Sequence, residues 1–139
     1  MNKLRSHINN HRFYSEGKYE TMLPTRVYKK VICHSKKNHI YDAEAIAELI
    51  IPSGSTIIRS YYSYGKMRTN NVYVKNITDM NDEIIDDDFE CYSPSFGNLK
   101  YNVGSYVRPD EPLDVDINAV CTSGIHFFLF KQSAKNYLI

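Results

Sequence analysis

GIHFFLF (124–130), inside the segment CTSGIHFFLFKQSAKNYLI (121–139), is the stretch whose reading decides the fold. Gly124 permits a tight entry. Ile125, Phe127, Phe128, Leu129 and Phe130 then make an apolar run of the length of a buried strand. Full burial of one such side chain is worth roughly 1.5–3 kcal/mol, so this strand alone is able to organise a core. The pattern then changes, and KQSAKNYLI (131–139) sets Ala134, Tyr137 and Leu138 on one side of a short helix. His126 is the odd residue in the run. Buried, it needs a hydrogen-bond partner; beside a cleft, it can meet a ligand.

Working outward, TRVYKKVICH (25–34) carries the Val, Ile and Tyr of a strand. IYDAEAIAELII (40–51) alternates and ends in Pro52-Ser53-Gly54, a strand-to-turn signal. Residues 56–64 read as another strand weakened by serines, GKMRTNN (65–71) as a loop, and VYVKNI (72–77) as a strand of period two. LKYNVGSYVRP (99–109) reads as a hairpin or bent strand kinked at Gly104, and INAVC (117–121) as a strand before the closing run. The fold class is therefore α+β, mostly antiparallel sheet of about six or seven short strands with a short C-terminal helix. It occupies residues 25–139 as a single domain, and residues 1–24 read as an N-terminal extension or loop interrupted by Gly17 and Pro24.

The chain has 139 residues, 42% of them apolar and 24% charged, which fits one globular domain and excludes intrinsic disorder. MNKLRSHINNHRF (1–13) lacks the apolar core of a signal peptide, and no stretch approaches the ~20 apolar residues of a membrane span. Cys33, Cys91 and Cys121 are odd in number and far apart, which predicts buried free thiols in a reducing compartment over a disulfide framework. The net charge of +1 hides an asymmetry: residues 1–40 carry nine Lys/Arg against two Glu, and residues 81–139 carry four against ten Asp/Glu. No basic run exceeds two residues, so mutual neutralisation within the fold is expected over phosphate binding by the amino-terminal third.

Phosphate-loop, dinucleotide, serine-elbow and zinc signatures are missing from the sequence. The acidic run Asp86-Asp87-Asp88 lacks the alternation of a calcium loop and reads as solvated. Cys121 and His126, separated by a turn at Thr122-Ser123-Gly124, were the one spacing that suits a thiolate pair; a buried Cys and a strand His are the expectation. No catalytic residue and no metal ligand is assigned.

Two resemblances add to this. VYKKV (27–31), AELIIP (47–52), KMRTNNVYV (66–74), YNVGSYVRPD (101–110) and above all CTSGIHFFLFKQSAKNY (121–137) resemble a family of uncharacterised domains in giant-virus, phage and bacterial proteins, some attached to pentapeptide repeats. That resemblance implies a viral setting. Locally, GIHFFLFKQSAKNY (124–137) is similar to the segment of poly(ADP-ribose) polymerases running from Gly-Ile-Tyr-Phe-Ala to Ser-Ala-x-Tyr. It implies one wall of a nicotinamide–dinucleotide pocket, with Gly124 admitting the ligand, His126 in place of a tyrosine, Tyr137 as the stacking ring, and Tyr28-Lys29 where that family has His-Gly.

The expectation is thus a small intracellular viral accessory domain, in the host cytoplasm, that binds and does not catalyse. Its partner is a protein or a nucleotide-like small molecule, with self-association allowed, and neither a membrane nor nucleic acid is expected. The ligand residues are Tyr28, Arg68, His126 and Tyr137, the tyrosines stacking on a base and the arginine meeting a phosphate. No cofactor is assigned; the alternative is an ADP-ribosyltransferase-like enzyme using NAD, or its degenerate nucleotide-binding descendant.

Overall fold

The computed structural model describes residues 15–37, 42–94 and 99–138. Residues 1–14 of the extension, and residues 40–41 of the segment read as a strand over 40–51, lie outside them. Among the described residues nine strands and one helix follow in order: β1 (Gly17–Glu20), β2 (Thr25–Ser35), β3 (Asp42–Ile51), β4 (Thr56–Arg59), β5 (Met67–Thr69), β6 (Val72–Asp79), β7 (Phe89–Tyr92), β8 (Tyr106–Val107), β9 (Ile125–Phe127) and α1 (Lys131–Asn136). They form a four-stranded sheet, β1-β4-β5-β9, and a five-stranded sheet, β7-β2-β3-β6-β8, with every pairing antiparallel. The class expected from the sequence stands, with more strands than the expected six or seven. No helix among the described residues is long and apolar enough to cross a membrane.

The ladder formed by β2 and β3 turns a corner and continues as β1 and β4. Pro24 and Pro52 stand at that corner, where a proline's missing N–H breaks the ladder. Thr21 holds the corner: its backbone N–H donates to Ser55 O at 2.8 Å, and its hydroxyl donates to Pro52 O at 2.7 Å. Residues 17–20, read as loop from sequence, are therefore a strand paired with β4 that buries Tyr19.

Alternation decides what is inside. Val27, Val31 and Cys33 of β2 and Ala45, Ala47, Leu49 and Ile51 of β3 form the central core with Ile57, Met67, Val74, Ile125 and Phe127. On the other face, α1 covers a second cluster of Ile46, Phe128 and Ala134, with Tyr28, Met80 and Tyr137 packed against it. Lys131 and Lys135 anchor the helix to Asp82 at 2.8 and 3.0 Å.

The closing run is the seam between the two sheets. β9 pairs with β5, and Phe128 then bridges to Tyr28 of β2 through two backbone hydrogen bonds of 2.8 and 2.7 Å. Ile125, Phe127 and Phe128 are buried as expected, but Phe130 is 53% exposed, because it caps the helix at the surface.

Three further expectations are corrected. Residues 60–64 leave β4 for a tight loop. Residues 117–121 form no strand, because their carbonyls turn inward to side chains of the first sheet. Cys33 and Cys91 are bonded to each other, opposite one another across β2 and β7 with Cα atoms 4.0 Å apart, and Cys121 is a free, exposed thiol. The pairing comes from register, which a separation of 58 residues hides. It removes the argument that three unpaired thiols made for a reducing compartment.

Candidate anion-binding site

Lys29 occupies the core stripe of β2, between Val27 and Val31, which are fully buried. Only 6% of its surface is exposed. Its Nζ donates to His126 O at 3.0 Å and lies 5.9 Å from the centre of the Tyr101 ring. The Tyr101 hydroxyl is buried without a hydrogen-bond partner among the described residues. An ammonium has three donors, and one is satisfied here. Burial, reinforced by the nearby Lys66, lowers the Lys29 pKa from 10.5 to about 7.

Lys66 precedes β5. Its Nζ donates to the Tyr137 hydroxyl at 3.0 Å and sits 4.9 Å from the centre of that ring. Lys30 points to the opposite face of β2 from Lys29. It is buried too, held by Glu44 at 3.1 Å and the Tyr137 carbonyl at 2.6 Å. His126 lies opposite Arg68 across β5 and β9. Its Nε2 is 3.2 Å from the Val120 carbonyl, which can only accept, so Nε2 carries the proton. Burial first, then Lys29 and Lys66, lower its pKa to about 4, so the ring is neutral at pH 7.

Lys29, Lys30, Lys66, Pro94, His126, Phe128 and Tyr137 enclose a hollow of about 10 Å³. That is room for about one water molecule. Three lysines border it, and Glu44, bound to Lys30, is the one carboxylate bonded to any of them among the described residues. The result is a local excess of positive charge around an oxygen-sized space.

Of the four residues expected from sequence, His126 and Tyr137 line this hollow, and Tyr28 and Arg68 do not. Tyr28 packs against the helix cluster on the outer face. Arg68 is almost wholly buried, and its guanidinium is occupied: it donates to the carbonyls of Asp114 (3.0 Å), Asp116 (2.6 Å) and Ala119 (2.6 Å) and to Ser60 Oγ (2.6 Å). It clamps the 110–120 loop onto the sheet. Gly124 serves the same packing: a Cβ there would lie 2.6 Å from Leu113 Cδ1 and 3.1 Å from Arg68 Cβ, which makes it the close approach of one loop to one strand. Cys121 lines a separate cleft with Asp110 and Glu111, apart from the His126 hollow.

Sequence reading missed Lys30 and Lys66, and reached Lys29 only by resemblance. One signal was available for Lys29. In Val27-x-Lys29-x-Val31-x-Cys33, strand alternation puts the lysine on the apolar side.

Comparison with known proteins places the chain among viral relatives. It is 37% identical over 129 residues to "Uncharacterized protein L223" of Acanthamoeba polyphaga mimivirus, covering 80% of this chain and 81% of that one. "Uncharacterized protein L796" of the same virus is 36% identical over 128 residues, covering 91% and 84%. "Uncharacterized protein L812" is 30% identical over 140 residues, covering 90% and 88%. No solved structure matches the chain. The family model matched over residues 9–134 is a family of unknown function, DUF5758, and the chain belongs to that family.

Proposed function

We propose that this domain is a non-enzymatic binding module that accepts one oxygen of a small anionic ligand, a phosphate above all, between Lys29 and Lys66, beside His126. The observation that carries this is Lys29: a buried ammonium with one acceptor and no acid partner among the described residues, facing an oxygen-sized hollow. Such a group costs folding free energy unless something compensates it. An anion at the mouth supplies the missing acceptors and meets Lys66 as well. The NAD-using alternative would need the space beside His126 to enclose a nicotinamide ring, and a hollow of about 10 Å³ favours a single oxygen instead. The viral relatives make an accessory role in the infected cell the natural setting.

The test is a thermal-shift titration at low ionic strength with sulfate, phosphate and pyrophosphate. A ligand at 100 times its Kd stabilises a single-site protein by about 2.7 kcal/mol. Stabilisation that Lys66→Ala removes and the exposed Lys18→Ala retains supports the reading. No stabilisation by any of the three anions refutes it.

A further inference from the structure

β4 and β5 are joined through Ser60-Tyr61-Tyr62-Ser63-Tyr64-Gly65-Lys66. Its end is a tight turn in which the Lys66 N–H donates to Ser63 O at 3.1 Å. The two central residues, Tyr64 and Gly65, have φ of 55° and 86°. Positive φ at both is what a type I′ hairpin turn requires, and Asn-Gly is its preferred pair. A tyrosine in that conformation is a costly choice. Tyr62 repeats it, with φ of 56°. Little of that cost is repaid by packing: Tyr62 is 85% exposed, with its ring 6.5 Å from that of Tyr61, and Tyr64 is 92% exposed.

The position of the turn says what these rings can do. Gly65 abuts the ring of Phe128, a Cβ built there lying 4.0 Å from Phe128 Cδ1, and Phe128 lines the hollow. The next residue, Lys66, sends its ammonium to the same place. Exposed aromatic residues at positive φ therefore stand two and four residues before Lys66, on the turn that carries it to the oxygen-sized cationic hollow. Exposed rings on the turn that also supplies an ammonium to the hollow match the two ends of a nucleotide: base faces stack on aromatic side chains, and phosphates pair with ammonium groups.

Resting on the anion-binding reading above, we propose that the ligand is a nucleoside phosphate whose phosphate meets Lys29 and Lys66 and whose base lies on Tyr64, with Tyr62 as the second ring. The same chemistry is offered by a free nucleotide and by the 5′-phosphorylated end of a single strand.

Calorimetric titrations with AMP, ribose 5-phosphate and pyrophosphate test this, using wild type, Tyr64→Asn and the double variant Tyr62→Asn/Tyr64→Asn. Asn suits the turn, so these variants fold at least as well, and a raised Tm shows it. AMP is expected to bind wild type about tenfold tighter than ribose 5-phosphate, the gain of stacking one base. In the double variant the two should bind alike, with pyrophosphate affinity unchanged. A 5′-phosphorylated trinucleotide binding tighter than AMP assigns the site to a strand end, and equal or weaker binding to a free nucleotide. Equal affinity of wild type for AMP and ribose 5-phosphate overturns the stacking proposal and leaves the loop as a protein-docking surface, while the anion site stands. A gain for AMP that survives both substitutions also overturns it. Failure of all three phosphates to bind removes the anion site itself.

Discussion

Replacing Lys29 by Met should make the protein more stable and at the same time remove the proposed anion site. Met has nearly the length and volume of Lys without the charge, so the core stripe Val27–Val31 is kept. In the folded protein the lysine pKa falls from 10.5 to about 7. At roughly 1.4 kcal/mol per unit, holding this proton in the core costs about 4–5 kcal/mol below pH 7, where both the folded and unfolded chains are protonated. Between pH 7 and 10.5 the folded lysine is neutral while the unfolded one still binds a proton. Wild-type stability therefore rises with pH across that window. Met removes this dependence, at the loss of the hydrogen bond to His126 O, worth about 1 kcal/mol. The expected net gain is about 3 kcal/mol at pH 6, shrinking by about 2–3 kcal/mol towards pH 9. Burial lowers the His126 pKa from 6.5 to about 4, so its own contribution to stability builds up between those values, mostly below the range tested and in both proteins alike; burial raises the Tyr101 phenol. Urea unfolding at pH 6, 7, 8 and 9 measures the difference. A Met variant no more stable at pH 6, with the same pH dependence as wild type, would refute the buried-ammonium argument.

Other outcomes follow from the same geometry. Sulfate keeps its charge across neutral pH, so its affinity reports Lys29 alone: it should fall by up to about tenfold per pH unit above 7 as the folded lysine loses its proton, and a flat profile from pH 6 to 9 by calorimetry would contradict this. Arg68→Lys keeps the charge but cannot span three carbonyls and a hydroxyl with a single ammonium; a loss of about 3 kcal/mol in urea unfolding is expected, with earlier proteolytic cleavage between residues 112 and 120. Peptide mapping without reductant should recover Cys33 and Cys91 in one linked product and Cys121 alkylated; alkylation of all three in freshly purified protein would remove the bond.

The long strands were legible because their physics is one-dimensional. In β2 and β3 an apolar face alternates with a mixed one, and a Pro-Ser-Gly turn ends β3. In β9 the uninterrupted apolar run matched a strand buried between neighbours. What stayed hidden was polar structure inside the fold. Met67-Arg68-Thr69 looks like loop, yet all three residues are buried. Arg68 is satisfied by carbonyls from another segment, and Thr69 donates to Thr56 O at 2.6 Å. Residues 117–121 show the converse: apolar enough for a strand, they spend the Ala119 and Val120 carbonyls on Arg68 and His126 instead of on a ladder. Tyr28 and Arg68 were chosen by residue type, as a ring and a cation, but binding capacity depends on which donors remain after folding. Arg68 has four of its donors engaged, whereas Lys29 keeps two without an acceptor among the described residues.

That difference explains why the hollow sits where it does. The seam residues use their backbone to join the sheets: Phe128 pairs with Tyr28, and the His126 carbonyl accepts from Lys29. Side chains are then left to close the gap between β2, the Lys66 turn and the end of α1. An apolar closure would have made this a continuation of the core. Three lysines and a tyrosine close it instead, and lysines repel one another at close range. An anionic oxygen placed among them would turn that repulsion into cohesion, tying the second sheet through Lys29 to the first sheet's hairpin through Lys66. Binding and the joining of the two sheets thus draw on the same few atoms, and an anion here would act as the missing piece of the seam.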